Sequence, residues 1–278
     1  MTNSPHIDPA TLTDWWRTEI IAIAPGEIRM RGYPIEDLIG RIGFCDMIWL
    51  MLRGELPSPV QKSLLEAALV AAVDHGPQAP SIAIARMAMT CGLGINNAMA
   101  SAINALGDVH GGAGQQCLEL YEAVAAIEDR GVTLTEAARS EVVRRIEARQ
   151  HIPGFGHRFH GVDPRAGRLL ALVAAATGPD GVTGRFKRIG EAVAEALATA
   201  KGKTVPMNID GATAVVYGEL GFPAPLARGL FVLSRSVGIL AHAWEQRGQG
   251  GRIKGPMPPS VPYRYDGLPL RHPVEAAR

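Results

Sequence analysis

Apolar residues recur at helical rather than strand spacing along nearly the whole chain, and this periodicity restricts the fold more than any other feature of the sequence. Alternating β-branched character appears only briefly, at residues 27–30, and aromatic residues make up 5% of the chain, which leaves little material for a sheet core. Residues 46–53 read as a short core helix. Pro57-Ser58-Pro59 then opens a second helix running to Ala72, in which Leu64, Leu65, Ala68 and Leu69 share one face. Residues 81–104 are rich in Ala, Met and Gly, a composition that lets helix backbones approach closely, so a helix packed all round or against a second subunit is expected there. Further helices are expected at 117–127, 135–150, 166–177, 186–200, 212–220 and 226–246, and the prolines from Pro256 onward predict an extended surface tail. The chain reads as an all-α protein. A larger, more apolar domain is expected from residues 1–111 and 216–278, with a smaller, more charged domain, 112–215, inserted between them.

The 278 residues suffice for a substantial core, and Lys+Arg 28 against Asp+Glu 27 leaves a net charge of +1. No global field then favours nucleic acid or an anionic membrane, and neither is expected as a partner. Cys45, Cys91 and Cys117 are odd in number, scattered and without C-x-x-C spacing, which predicts buried free thiols in a reducing compartment. The first residues lack a basic flank followed by an apolar core, the early apolar run at 20–25 is short, and the Ala-rich runs are interrupted by charge. The expectation is a soluble, cytoplasmic protein.

Against that helical background, a few short segments carry polar chemistry. In Pro153-Gly154-Phe155-Gly156-His157-Arg158 the proline and glycines break any helix, so an imidazole and a permanent cation leave a loop side by side. Asp163-Pro164-Arg165 restarts a helix as N-cap, first helical residue and cation, a construction that suits an anionic ligand or, equally, a solvated turn. Asp74-His75-Gly76-Pro77 follows a helix, where His75 can donate to a ligand oxygen or both side chains can cap helix ends. His110-Gly111-Gly112-Ala113-Gly114 sets a histidine at a helix start, where a neutral ring can donate to a carbonyl; a glycine-rich bend around a satisfied histidine is the alternative. Asn208-Ile209-Asp210-Gly211 places a carboxylate ahead of a helix, as an N-cap or, if desolvated beside a substrate carbon, as a base. Arg235, inside the apolar helix 226–246, is costly unless paired, which favours a bound carboxylate over snorkelling to solvent. His75, His110 and His157 lack metal-ligand spacing and cysteine companions, so no metal is expected.

Taken in order, these segments resemble the citrate synthase family. Arg29-Met30-Arg31-Gly32-Tyr33-Pro34-Ile35 is similar to the family's Arg-Gly-Tyr-Pro-Ile segment, and Arg53-Gly54-Glu55-Leu56-Pro57 to its next landmark. Asp74-His75, His110-Gly111-Gly112-Ala113, Pro153-Gly154-Phe155-Gly156-His157, Asp163-Pro164-Arg165, Asn208-Ile209-Asp210 and Ser234-Arg235 follow in family order. The resemblance implies a two-domain, homodimeric all-α enzyme with His110, His157 and Asp210 as its catalytic trio. It also implies that His75, Arg165 and Arg235, helped by Arg158, bind a dicarboxylate, and that Pro153, Gly154, Phe155 and Gly156 line a coenzyme A site. The expected partners are an acyl-CoA, whose coenzyme A thioester is a substrate, and a 2-oxo dicarboxylic acid. Residues 81–104 are the candidate dimer interface.

The chain departs from the family pattern in two places. Asp74-His75 follows the preceding helix almost at once, a compact spacing that resembles the citryl-CoA lyase module of ATP-citrate lyase. The partner-subunit arginine that the family places just before a proline near the C-terminus is Gly255 here, with Arg252 and Lys254 as candidate substitutes. The first expectation is therefore a citryl-CoA lyase-type carbon–carbon lyase giving acetyl-CoA and oxaloacetate. The alternatives are a citrate or 2-methylcitrate synthase, and a non-catalytic acyl-CoA-binding paralogue.

Overall fold

The computed structural model describes residues 15–156 and 161–272. Among the described residues a small antiparallel sheet comes first, with β1 (Ile21–Ala24), β2 (Glu27–Met30) and β3 (Tyr33–Pro34) in that order. Met30 pairs with Tyr33 across Arg31-Gly32. Arg31 (φ 50°) and Gly32 (φ 89°) both adopt the left-handed region, as a two-residue hairpin of matching twist requires. Only β2 is legible as a strand in the sequence.

Eleven helices follow among the described residues: α1 (Ile35–Leu38), α2 (Phe44–Arg53), α3 (Pro59–Ala72), α4 (Pro80–Thr90), α5 (Ile95–Asn104), α6 (Ala113–Glu128), α7 (Leu134–Glu147), α8 (Pro164–Ala176), α9 (Arg185–Lys201), α10 (Ile209–Glu219) and α11 (Ala224–Gln249). The all-α reading holds. The start of α3 shows why these boundaries form: Ser58 Oγ accepts from Gln61 N at 3.2 Å, Gln61 Oε1 accepts from Ser58 N at 2.8 Å, and Pro59 occupies the first turn.

The single helix expected over 81–104 is two. α4 stops at a turn in which Gly92 (φ 88°) is left-handed, and Cys91 N and Leu93 N bond back to Met87 O and Ala88 O. Gly92 is thus a stop signal rather than a place of close packing. The same break corrects the reading of the thiols: Cys117 is buried and Cys45 partly so, but Cys91 lies exposed in the turn.

The chain packs as two compact units, one formed by residues up to Val73 with Asp108–Ser234, the other by Asp74–Gly107 with residues from Arg235 onward. This grouping differs from the expected 112–215 division, which falls inside the first unit. The first unit is packed around one helix. That helix is α10, buried from Gly211 through Gly218 and packed on by α3, α6, α8 and α9. Its neighbours supply Leu64, Leu65, Leu118, Tyr121, Val124, Ile189, Val193 and Leu197. Each such aliphatic side chain contributes roughly 1.5–3 kcal/mol when fully removed from water.

The second unit has its own core of Ile82, Ala85, Ala98, Ala102, Ile239 and Ala243, so the alanines of α4 and α5 do serve close helix packing. Helix α11 is long and apolar enough to cross a bilayer. Part of its apolar face is used in packing, with Ile239 and Ala243 in the second core and Leu230 in the first, while Leu233, Val237, Leu240 and Trp244 are exposed. Beyond α11 the chain to residue 272 has no regular helix or strand and is exposed, as its prolines predict.

Candidate active site

Two loops far apart in sequence are joined backbone to backbone. Gly156 N donates to Pro206 O at 2.7 Å, Asn208 N donates to Gly154 O at 3.0 Å, and Phe155 and Met207 form an antiparallel bridge. The Asn208 side chain completes the join. Its amide donates to Gly156 O at 2.7 Å, while its Oδ1 accepts from the N–H groups of Asp210 and Gly211, capping α10. Asn208, not Asp210, is therefore the N-cap, which leaves the Asp210 carboxylate in the first helical turn. Gly154 (φ 85°) admits this contact because a methyl group there would overlap Cys117 Sγ and crowd Gly211 Cα. Burial pushes the Cys117 thiol up to about 12, so it packs beneath the loop as a neutral group.

Asp163 ties a third segment to the same place. It caps α8 by accepting from Arg165 N at 3.0 Å, and forms a forked pair with the Arg165 guanidinium through Nε at 3.0 Å and Nη2 at 2.9 Å. Its second oxygen also accepts from Ile209 N at 3.0 Å, next to Asp210. Burial alone would raise the Asp163 carboxyl, but the Arg165 side chain and N–H together with the Ile209 N–H outweigh it and hold the pKa at about 2. Arg165, expected to grip a dicarboxylate, is here already committed to Asp163 along one edge of its guanidinium.

The helix that follows His110 begins beside Asp210. Helix α6 starts at Gly112, which has no side chain to cap it, and a methyl on Gly114 in its first turn would lie 4.0 Å from Asp210 Oδ1. The carboxylate thus stands beside the electropositive end of α6, the place where an anion is favoured. Gly112 is required here, since any side chain would collide with the Asp108 backbone. Asp108 is itself held twice, by Arg228 Nη2 on its carboxylate at 2.6 Å and by the Gln116 amide on its carbonyl at 3.1 Å. Such clamps reveal nothing of themselves in sequence, where Asp108 is only a loop residue.

Of the expected site residues, the first compact unit thus contains His110, Asp210, Arg165 and Pro153 through Gly156. Pro153, Gly154 and Phe155 are buried, and the Phe155 ring belongs to the core. His75 and Arg235 belong to the second unit, Arg235 buried within α11 and only 6% exposed. It does not snorkel. His157 and Arg158 lie outside the described residues.

Residues 57–257 match the family model of the citrate synthase C-terminal domain. The chain belongs to the citrate synthase family. It is 31% identical to Citrate synthase 2 of Bacillus subtilis over 208 residues, covering 73% of this chain and 52% of that protein. The chain spans about half the length of the curated citrate synthases it matches, 52% of that of Bacillus subtilis and 49% of that of Haloferax volcanii. Among solved structures, it is similar to the citryl-CoA lyase of Hydrogenobacter thermophilus, with a TM-score of 0.83 and 30% identity over 94% of this chain and 98% of that one. The ATP citrate lyase of Methanothrix soehngenii, solved in complex with citrate and coenzyme A, shares the fold with a TM-score of 0.77 and 21% identity, and its match covers 45% of that longer chain.

Proposed function

We propose that the protein is a citryl-CoA lyase-type enzyme, cleaving citryl-CoA or a close analogue into acetyl-CoA and oxaloacetate. The observation that supports this reading is the likeness to the citryl-CoA lyase of Hydrogenobacter thermophilus, with a TM-score of 0.83 at 30% identity, against 0.58 at 18% identity for the citrate synthase of Thermotoga maritima.

In the proposed reaction, His157 takes the proton from the tertiary hydroxyl and the adjacent carbon–carbon bond breaks. The hydroxyl-bearing carbon becomes the ketone of oxaloacetate, and the bonding electron pair passes into an acetyl-CoA enolate. His110, neutral beside the start of α6, donates a hydrogen bond to the thioester oxygen where that charge collects. Asp210, entering as the carboxylic acid, returns a proton to the enolate carbon. In the condensing direction the same carboxylate removes it. His75, Arg165 and Arg235 would hold the dicarboxylate, with Arg158 assisting, and the loop through Gly156 would border the coenzyme A thioester. The Asp163–Arg165 pair presets the guanidinium, so a substrate carboxylate would meet a group already oriented rather than a mobile side chain.

A condensing citrate or 2-methylcitrate synthase is the second reading, favoured by the names of the sequence relatives, and it must also hydrolyse its thioester intermediate. Two assays separate the readings. Cleavage of synthetic citryl-CoA is expected to be fast, and release of free coenzyme A from acetyl-CoA plus oxaloacetate slow; the reverse ranking rejects the lyase. Asp210→Asn should lower cleavage by about 10²–10⁴-fold, the usual worth of a positioned acid or base, and parent-like cleavage by a folded Asn variant would remove Asp210 from the chemistry.

A further inference from the structure

Within the second compact unit, His242 of α11 is gripped on both ring nitrogens. Arg86 of α4 donates through Nη1 to His242 Nδ1 at 3.1 Å, and His242 Nε2 lies 3.3 Å from Asp74 Oδ2. A guanidinium has donors and no acceptor, so the nitrogen facing it must carry the lone pair. With the lone pair on Nδ1, the ring proton belongs on Nε2, where Asp74 can accept it. Arg86 cannot readily turn away, for it also donates to Glu245 Oε2 at 2.5 Å and Gln249 Oε1 at 2.7 Å, and its side chain is only 14% exposed.

At the far end of this chain of bonds, the same Asp74 oxygen accepts from Gly76 N at 3.0 Å. Asp74, His75 and Gly76 thus close an Asx turn with His75 in its middle, and Gly76 adopts φ 88°. Partial burial would raise the Asp74 carboxyl, but the Gly76 N–H and His242 outweigh it and hold its pKa below the ordinary carboxylate value. The charged groups around the His242 ring are Asp74, Arg86 and Glu245, the last 3.8 Å from Nδ1.

We propose that His242, locked by Arg86 as the Nε2–H tautomer, is a positioning residue that fixes the Asp74 turn and so the backbone from which His75 meets the dicarboxylate. The part concerning the dicarboxylate rests on the function proposed above; the tautomer and the turn do not.

The experiment uses the full chain in four forms: parent, His242→Leu, His242→Gln and His75→Ala. Nitrogen-15 NMR of the histidine rings at neutral pH is expected to show His242 protonated at Nε2 alone, and a proton on Nδ1 overturns the inference. Amide exchange at Gly76 should speed up about tenfold or more in His242→Leu, the worth of one hydrogen bond to a charged partner. The Gln variant, which keeps one donor and one acceptor, should restore protection; unchanged exchange in Leu, or a Gln variant no better than Leu, also overturns it. Oxaloacetate binding should weaken about tenfold in His242→Leu, while acetyl-CoA binding stays at the parent value. If His75→Ala weakens oxaloacetate binding and His242→Leu does not, the positioning role is wrong. If His75→Ala leaves it unchanged, the assignment of His75 to the dicarboxylate has failed, and the tautomer and the Gly76 amide still decide the role of His242.

Discussion

Asn208 holds four polar partners at once: two N–H groups of α10, the Gly156 carbonyl through its amide, and the Gly154 carbonyl through its own N–H. Asn208→Ala should lower stability by about 1 kcal/mol through the lost cap alone, read as a shift in denaturant midpoint, and should reduce citryl-CoA cleavage as well. Asn208→Asp keeps the cap but sets a carboxylate oxygen against the Gly156 carbonyl, so it should recover less activity than stability. Asp163 makes a pH-dependent contribution. Its pKa of about 2 in the fold lies below the ordinary 3.8, so its stabilisation is fully present above about pH 4 and is lost as pH falls toward 2. Unfolding of Asp163→Asn, followed from pH 5 to 2, should show a shallower loss of stability than the parent. In the sequence Asp163 reads as a helix cap, while for α10 the cap was expected at Asp210 and not at Asn208, so that only the residue types were legible there. That both caps also bind a second loop was not legible, because the partner lies 46 residues from Asp163 and 52 from Asn208.

Among the elements, α10 and the loop against it determine where the carboxylate stands. The close approach of Gly154 to Gly211 leaves no room for a Cβ on either residue. Gly154→Ala combines a left-handed backbone with a steric collision and should cost about 2–4 kcal/mol, measured by chemical denaturation, from strain and overpacking together. Helical periodicity identified every helix of α6 through α11 to within a few residues, because each carries an apolar face against a core. It failed at residues 91–94, where a run of small residues reads the same whether the helix continues or turns back on itself. The β1–β2–β3 sheet was visible only at β2, since β1 is mostly exposed and lacks the alternation that a half-buried strand would show.

For the whole molecule, the fold shared with the citryl-CoA lyase of Hydrogenobacter thermophilus extends over 94% of this chain. We propose a homodimer, with the exposed face of α5 as part of the contact. Sedimentation velocity should show a dimer for the parent, and Ala100→Glu, on that face, should shift it toward monomer; a monomeric parent removes the proposal. Cleavage activity should survive dialysis against a chelator at the parent rate, since the proposed steps require only protein side chains; a loss restored by added metal would contradict them.

By itself the sequence established the helical class, the family, and the residue types that can move a proton or hold a carboxylate, because each depends on local periodicity or on an ordered set of short motifs. The tertiary structure decided which segments share a core, that Asn208 and not Asp210 caps α10, and that Asp163, Arg165 and Ile209 meet at one carboxylate. Those outcomes depend on contacts between residues tens of positions apart, and the chemistry of a single residue does not say which distant backbone group will satisfy it.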